Sequence, residues 1–199
     1  MRKSILIIIS LLGINSYSQT TAEYMNRGLE KYKSNDYKAA ISEYDKAIAK
    51  DSLNALAYFY RGNSNFQLDQ NNQAITDFNK SIKLNPNDPE VYFYRGYTWM
   101  YMEKFEDALA DLNKAITLNP SGRYYGVRGM IHDRLTHYTK AVDDLSMSIK
   151  LNPNSAHSYF VRGYSNYNMY KRKEACTDWI VAIVLGKEGA DKIFKKLCK

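Results

Sequence analysis

Residues 58–86 read YFYRGNSNFQLDQNNQAITDFNKSIKLNP, and close copies of this stretch run through most of the chain. Its Arg61-Gly62 pair returns as Arg27-Gly28, Arg95-Gly96, Arg128-Gly129 and Arg162-Gly163, at spacings of 34, 34, 33 and 34 residues. A period of this size marks stacked supersecondary units, each too thin to bury a core by itself. Four residues before each glycine stands Tyr24, Tyr58, Tyr92, Tyr125 or Tyr159, and twelve residues after it Ala40, Ala74, Ala108, Ala141 or Ala175. Sixteen after comes a large residue (Tyr44, Phe78, Leu112, Leu145, Trp179) and nineteen after a small one (Ala47, Ser81, Ala115, Ser148, Ala182). In the second half of each unit these positions fall on one helical face, with a small-residue seam where another helix can approach. Asn-Pro ends the middle copies at Pro86, Pro120 and Pro153, because the residue before proline is pushed out of the helical region.

The order aromatic, Gly, Ala, bulky, small and Pro resembles the tetratricopeptide repeat over roughly residues 21–186. The resemblance implies an all-α solenoid of five helical hairpins, residues 21–54, 55–88, 89–121, 122–154 and 155–187. The helix pairs expected are 22–34 with 37–50, 55–68 with 71–84, 89–102 with 105–118, 122–135 with 138–151 and 156–169 with 172–185. The departures are local: Ser52 and Lys187 replace the closing proline, and the fourth copy lacks one residue around 119–123.

Where the family usually carries Leu before the glycine, all five copies carry Arg, and fifteen residues after each glycine stands an acid. In an antiparallel hairpin whose turn lies midway, residues sixteen apart face each other. Five ion pairs are therefore expected: Arg27 with Glu43, Arg61 with Asp77, Arg95 with Asp111, Arg128 with Asp144, and Arg162 with Asp178. A guanidinium suits the position because its planar fork can bind a carboxylate through two hydrogen bonds. The pairs are read as structural and not as catalytic.

Residues 1–18 lie outside the repeats. Arg2 and Lys3 precede an apolar run from Ile5 to Ile14, and small residues at 16–18 precede Gln19, the pattern of a secretory signal peptide cleaved after Ser18. An uncleaved membrane anchor is the alternative, but the run is short beside the roughly 20 residues a span needs. After cleavage, residues 19–199 form one domain without stable membrane insertion, exported to the periplasm or secreted. Losing Arg2 and Lys3 lowers the formal charge from +7 to +5. The bases are spread through the repeats, so no nucleic-acid partner is expected.

At the other end, Ala190, Ile193, Phe194 and Leu197 have the spacing of one apolar helix face, with Lys192, Lys195, Lys196 and Lys199 on the remainder. This reads as a capping helix over 188–198, with a membrane-surface helix as the alternative. Cys176 and Cys198 lie eleven residues either side of Lys187, where the chain turns between the last repeat and the cap. Antiparallel packing would bring them together, and an exported chain favours a disulfide over two free thiols.

No catalytic, cofactor or metal constellation is present in the sequence. His132 and His137 are five apart and His157 starts another hairpin, and none has a ligand companion one helical turn away. The glycines recur singly at a packing position and make no phosphate loop. A non-enzymatic scaffold of the cell envelope is expected, holding a protein or peptide segment. In the family the first helix of each pair lines the concave face, which puts Phe59, Phe93, Tyr97, Tyr101, Phe160, Tyr164 and Tyr167 on a candidate groove. The lysines with which some family members grip a C-terminal carboxylate are missing, since Met25, Phe59, Phe93 and Phe160 stand in those places. Glycan binding on aromatic faces, and self-assembly through the ends of the stack, are the competing functions; oligomeric state is left open.

Overall fold

The computed structural model of the chain describes residues 20–198, and the expected signal peptide lies outside them. Among the described residues there are eleven α-helices and no strand. Ten form consecutive antiparallel pairs: α1 (Thr21–Lys33) with α2 (Tyr37–Lys50), α3 (Ala55–Gln67) with α4 (Asn71–Leu84), α5 (Pro89–Tyr101) with α6 (Phe105–Leu118), α7 (Gly122–Arg134) with α8 (Tyr138–Leu151), and α9 (Ala156–Asn168) with α10 (Arg172–Val184). The last, α11 (Ala190–Leu197), packs on α10. Each hairpin touches the hairpins next to it in sequence, which is the all-α solenoid implied by the period. Successive first helices also touch one another, whereas successive second helices make no comparable contact. The stack therefore bends toward α1, α3, α5, α7 and α9, and their shared face is concave.

The start of the array is capped by side chains. Thr20 Oγ1 accepts from the Glu23 amide at 3.2 Å while the Thr20 amide donates to Glu23 Oε2 at 2.9 Å, a reciprocal capping box. Asn54 and Asp36 accept from the amides of Ala57 and Ala39, and Pro89 opens α5, where a missing N–H costs nothing.

The first helix of every hairpin ends one residue earlier than expected, because the chain leaves it through a tight left-handed turn. In the second hairpin the Asp69 amide donates to Phe66 O at 3.0 Å and the Gln70 amide to Asn65 O at 2.9 Å. These are the two bonds of a Schellman motif, and the same pair recurs in all five hairpins. The motif needs positive φ at its central residue, a place suited to glycine. Here Asn35, Asp69, Glu103, Thr136 and Tyr170 occupy it, at φ of 58° to 62°. For β-branched Thr136 the strain is largest. Thr136 is exposed, so Thr136→Gly is expected to stabilise the protein by about 1 kcal/mol. Thermal unfolding would register this as a midpoint raised by roughly 2–4 °C; a lowered midpoint would show that the threonine makes a compensating contact.

The glycine of each Arg-Gly pair is needed for close approach. A Cβ on Gly62 would stand 2.8 Å from the Phe78 ring, on Gly129 2.7 Å from Leu145, and on Gly163 2.5 Å from Trp179 Nε1. The bulky residue sixteen positions on thus lies against the helix backbone, and Tyr44, Phe78, Leu112, Leu145 and Trp179 are all fully buried.

The two ends depart from the repeat in opposite ways. Five residues before the glycine and two after it, the later copies carry buried Ala57, Val91, Tyr124 and Ser158, and Ser64, Thr98, Ile131 and Ser165. In α1 those slots hold exposed Glu23 and Glu30, so the leading face of the array is polar. At the far end Ala190 follows Ala156 by 34 residues, and α11 occupies the first part of what would be a sixth hairpin. Its Lys196 and Leu197 stand where Arg-Gly stands elsewhere. Among the described residues no helix crosses Leu197. The cap begins at Ala190 and not at residue 188, since Gly189 takes φ 79° and starts the helix afresh.

Candidate functional site

Five guanidinium groups run along the stack. Arg95 donates through Nε to Asp111 Oδ2 at 2.8 Å and through Nη2 to Oδ1 at 2.6 Å, and Arg61, Arg128 and Arg162 grip Asp77, Asp144 and Asp178 by the same fork. Arg27 lies 3.0 Å from Glu43, which also pairs with Lys46. The four aspartates are buried, and their arginines are partly open on one side.

The remaining Nη1 of each later arginine reaches back into the hairpin before. It donates from Arg61 to Asp45, from Arg95 to Asn79 and from Arg128 to Asn113, each at 2.6 Å, and from Arg162 to Ser146 at 3.0 Å. Each of these arginines therefore holds its own hairpin closed and fastens it to its neighbour. Sequence reasoning missed this second contact, although Asp45, Asn79 and Asn113 recur seventeen residues after their glycines. The residue deleted from the fourth copy leaves the fastening intact, with Arg128 and Asn113 fifteen apart where the other pairs are sixteen. In the last hairpin the acceptor slot holds Ile180, beyond which no arginine comes.

The aspartates are not equivalent. Asp77 and Asp178 gain a further bond from Asn65 at 3.0 Å and Asn166 at 3.3 Å, whereas Trp99 stands at the matching place beside Asp111. Burial pushes the Asp111 carboxyl above its usual range, with Arg95 pulling the other way. His132 Nε2 lies 3.9 Å from Asp144, and burial holds its pKa below the ordinary imidazole value despite that carboxylate. Among the described residues no cluster of three His, Cys, Asp or Glu side chains could hold a metal, and no helix is long and apolar enough to cross a membrane.

On the concave face the structure corrects part of the expected groove. Phe59 and Phe93 are each only 7% exposed. The Phe59 ring packs against Tyr60, Phe78 and Tyr94 at centroid distances of 5.1, 6.2 and 5.5 Å, and Phe93 against Tyr94, Tyr97 and Tyr124 at 5.3, 5.9 and 5.0 Å. The following hairpin supplies the rings that cover them, so they glue hairpin to hairpin. Tyr97, Phe160 and Tyr164 are half-buried, while Tyr101 is 59% exposed and Tyr167 lies at the rim beside Trp179. Burial, and then the adjacent Tyr101, push the Tyr97 hydroxyl up to about 12.

The wall opens in two places. Between α1 and α3 lies an apolar cleft of about 500 Å³ lined by Met25, Leu29, Leu56 and Tyr60, with Leu56 51% exposed. Between α7 and α9 lies a notch of about 130 Å³ beside Gly126, Met130, Ser148 and Ser158. A third cleft, of about 520 Å³, lies off this face above Arg162 and Asp178, near Lys171 and Lys173. Cys176 and Cys198 are bonded, with Cα atoms 5.8 Å apart, and Arg172 Nε donates to Leu197 O at 2.9 Å, so α11 is held to α10 twice.

Comparison with known proteins agrees with this architecture. A family model for the TPR repeat matches residues 28–69 and 62–100, and one for the tetratricopeptide repeat matches residues 89–121. No curated protein matches the sequence significantly. Similar solved structures include the MamA protein, at 24% identity over 86% of this chain and 94% of that one with a TM-score of 0.74. YrrB, described as a TPR protein with an unusual peptide-binding site, is 22% identical over 89% and 92%, with a TM-score of 0.73. TTC0263 of Thermus thermophilus, a thermophilic TPR protein, is 16% identical over 90% and 99%, at 0.68.

Proposed function

Because the chain belongs to the tetratricopeptide repeat family, whose members are scaffolds for protein interaction, we propose that it is a non-enzymatic scaffold of the cell envelope that holds an extended peptide segment along its concave face. The observation that carries the reading is the concave wall itself: a sealed aromatic middle, built on Phe59 and Phe93, flanked by two unfilled openings. Exposed apolar surface, such as Leu56 in the first opening and Tyr101 at the end of α5, is the kind that partners cover. YrrB, of the same fold, is described with a peptide-binding site, which adds weight to a peptide over other ligands.

The ends of the array support binding on the wall and not assembly through the ends. The leading face carries exposed Glu23 and Glu30 where the other hairpins bury uncharged residues, and the trailing face carries Leu197 and Ile180 in place of the glycine and the polar acceptor. Export rests on residues 1–18 as a signal peptide, and the bonded cysteines fit an oxidising compartment.

Selection of a displayed random peptide library on the purified mature chain, beside a glycan array, tests the proposal. Enriched peptides whose binding weakens at least tenfold in Leu56→Glu or Tyr101→Ala are expected, with no glycan signal. Glycan binding without peptide binding would replace this reading with the carbohydrate one, and Tyr101 would then be its first candidate platform.

A further inference from the structure

The concave wall contains its own template for what should fill the notch between α7 and α9. Three residues before the repeat glycine, the copies carry Met25, Phe59, Phe93, Gly126 and Phe160. In the middle hairpins this side chain crosses to the next hairpin and packs there, Phe59 on Tyr94 and Phe93 on Tyr124. In the fourth hairpin the side chain is missing, and the position facing it is Ser158 where the preceding interface has Tyr124. Both partners of the Phe93–Tyr124 contact are therefore absent at the next interface, and the 130 Å³ notch lies there. That volume suits one side chain and falls below the roughly 300–1,000 Å³ of a small-molecule pocket.

The floor of the notch demands no polar ligand. Ser148 Oγ lies 2.8 Å from Gly122 O and 2.8 Å from Ser158 Oγ, which in turn lies 2.8 Å from Ser155 Oγ. These hydroxyls satisfy one another, and Val127 and Met130 supply apolar walls beside Asn152 and His157. The rim is cationic. Arg123 lines the notch with its guanidinium 4.5 Å over the Phe93 ring, and beyond α9 Lys187 Nζ stands 5.4 Å over the Phe160 ring. Arg123 also pairs with Glu90, which accepts from the Tyr124 hydroxyl as well.

From this geometry we infer that the notch at Gly126 is the anchor site of the groove, taking an aromatic side chain of an extended peptide whose neighbouring residue is acidic. The ring replaces the phenylalanine that the fourth hairpin lacks. The carboxylate meets Arg123, which lines the notch, or Lys187 beyond α9. This inference rests on the peptide-scaffold reading and adds to it the identity of the anchor.

The test fills the notch from within. A Cβ on Gly126 would stand 3.1 Å from Ser148 Oγ, so Gly126→Phe is combined with Ser148→Ala, which reproduces the third hairpin's Phe93 and Ala115. Peptides are selected from a random display library on the wild-type chain, and their affinities are measured by fluorescence anisotropy for wild type, S148A, G126F/S148A and Lys187→Glu. The inference expects enriched peptides to share an aromatic residue beside Asp or Glu. It expects at least tenfold weaker binding to G126F/S148A at an unchanged melting temperature, weaker binding to Lys187→Glu, and near wild-type binding to S148A. Peptides that bind the filled variant as tightly overturn the inference and leave the groove standing; a library that yields no binder overturns the groove and the inference together. If the filled variant melts early, replacing the peptide's aromatic residue by alanine asks the same question from the other side, and unaltered affinity again overturns it.

Discussion

Replacing Asp77 by alanine is expected to lower the unfolding free energy by roughly 3 kcal/mol, near the bottom of the range for breaking a buried ion pair. The substitution removes both prongs of the Arg61 fork and the bond from Asn65, but Arg61 keeps Asp45 in the preceding hairpin. Asp111→Ala should cost more, because the third prong of Arg95 ends on the neutral amide of Asn79. The charge is then left with no carboxylate at all in its bonded set. Replacing both members, as in Arg61→Leu with Asp77→Leu, should recover much of the loss, since desolvation of both charges disappears with them. Urea unfolding of the single and double variants provides the comparison. Adding Asn65→Ala to the Asp77 variant removes the amide bond from the comparison, and equal losses for that pair and Asp111→Ala would mean that the link to the preceding hairpin contributes nothing.

Loss of the Cys176–Cys198 bond is expected to destabilise the C-terminal end by about 3 kcal/mol, the entropic scale for a loop of this length. The effect should be local. In a stack held by nearest-neighbour contacts, α11 and then the fifth hairpin open before the rest. Hydrogen exchange on the Cys176→Ser, Cys198→Ser double variant, or on reduced wild type, should show amides of α11 and α10 losing protection while those of α3 to α6 keep theirs. Uniform loss along the chain would show that the array unfolds as one unit.

Some of this structure was legible because it repeats. The hairpins, and the arginine and acid pairs within them, follow from offsets kept in five copies, and a tight turn fixes which residues meet. The contacts between hairpins were harder to read. Nothing in one copy states the register between a second helix and the next first helix, so the bond from Arg61 to Asp45 was invisible even though its acceptors recur. The sequence also placed Phe59 and Phe93 on the correct face but could not reveal their cover, because burial there depends on Tyr94 and Tyr124 arriving from the neighbouring hairpin. Gly126 interrupts a row of larger residues, Met25, Phe59, Phe93 and Phe160, and only the three-dimensional packing turns that gap into a cavity. The closing of the ends was half visible: the amphipathic pattern of 190–197 marked a cap, while the roles of Glu23, Glu30 and Ile180 needed the buried slots of the other copies for contrast.

The central claim is that the face shared by α1, α3, α5, α7 and α9 is the one that binds. Backbone and methyl NMR of the mature chain, titrated with a peptide selected on it, tests this most directly. The account predicts shifts confined to that face, strongest around Gly126, Met130 and Phe160 and extending toward Leu56. Shifts centred on α2, α4, α6 and α8, or on the two ends of the stack, would contradict it.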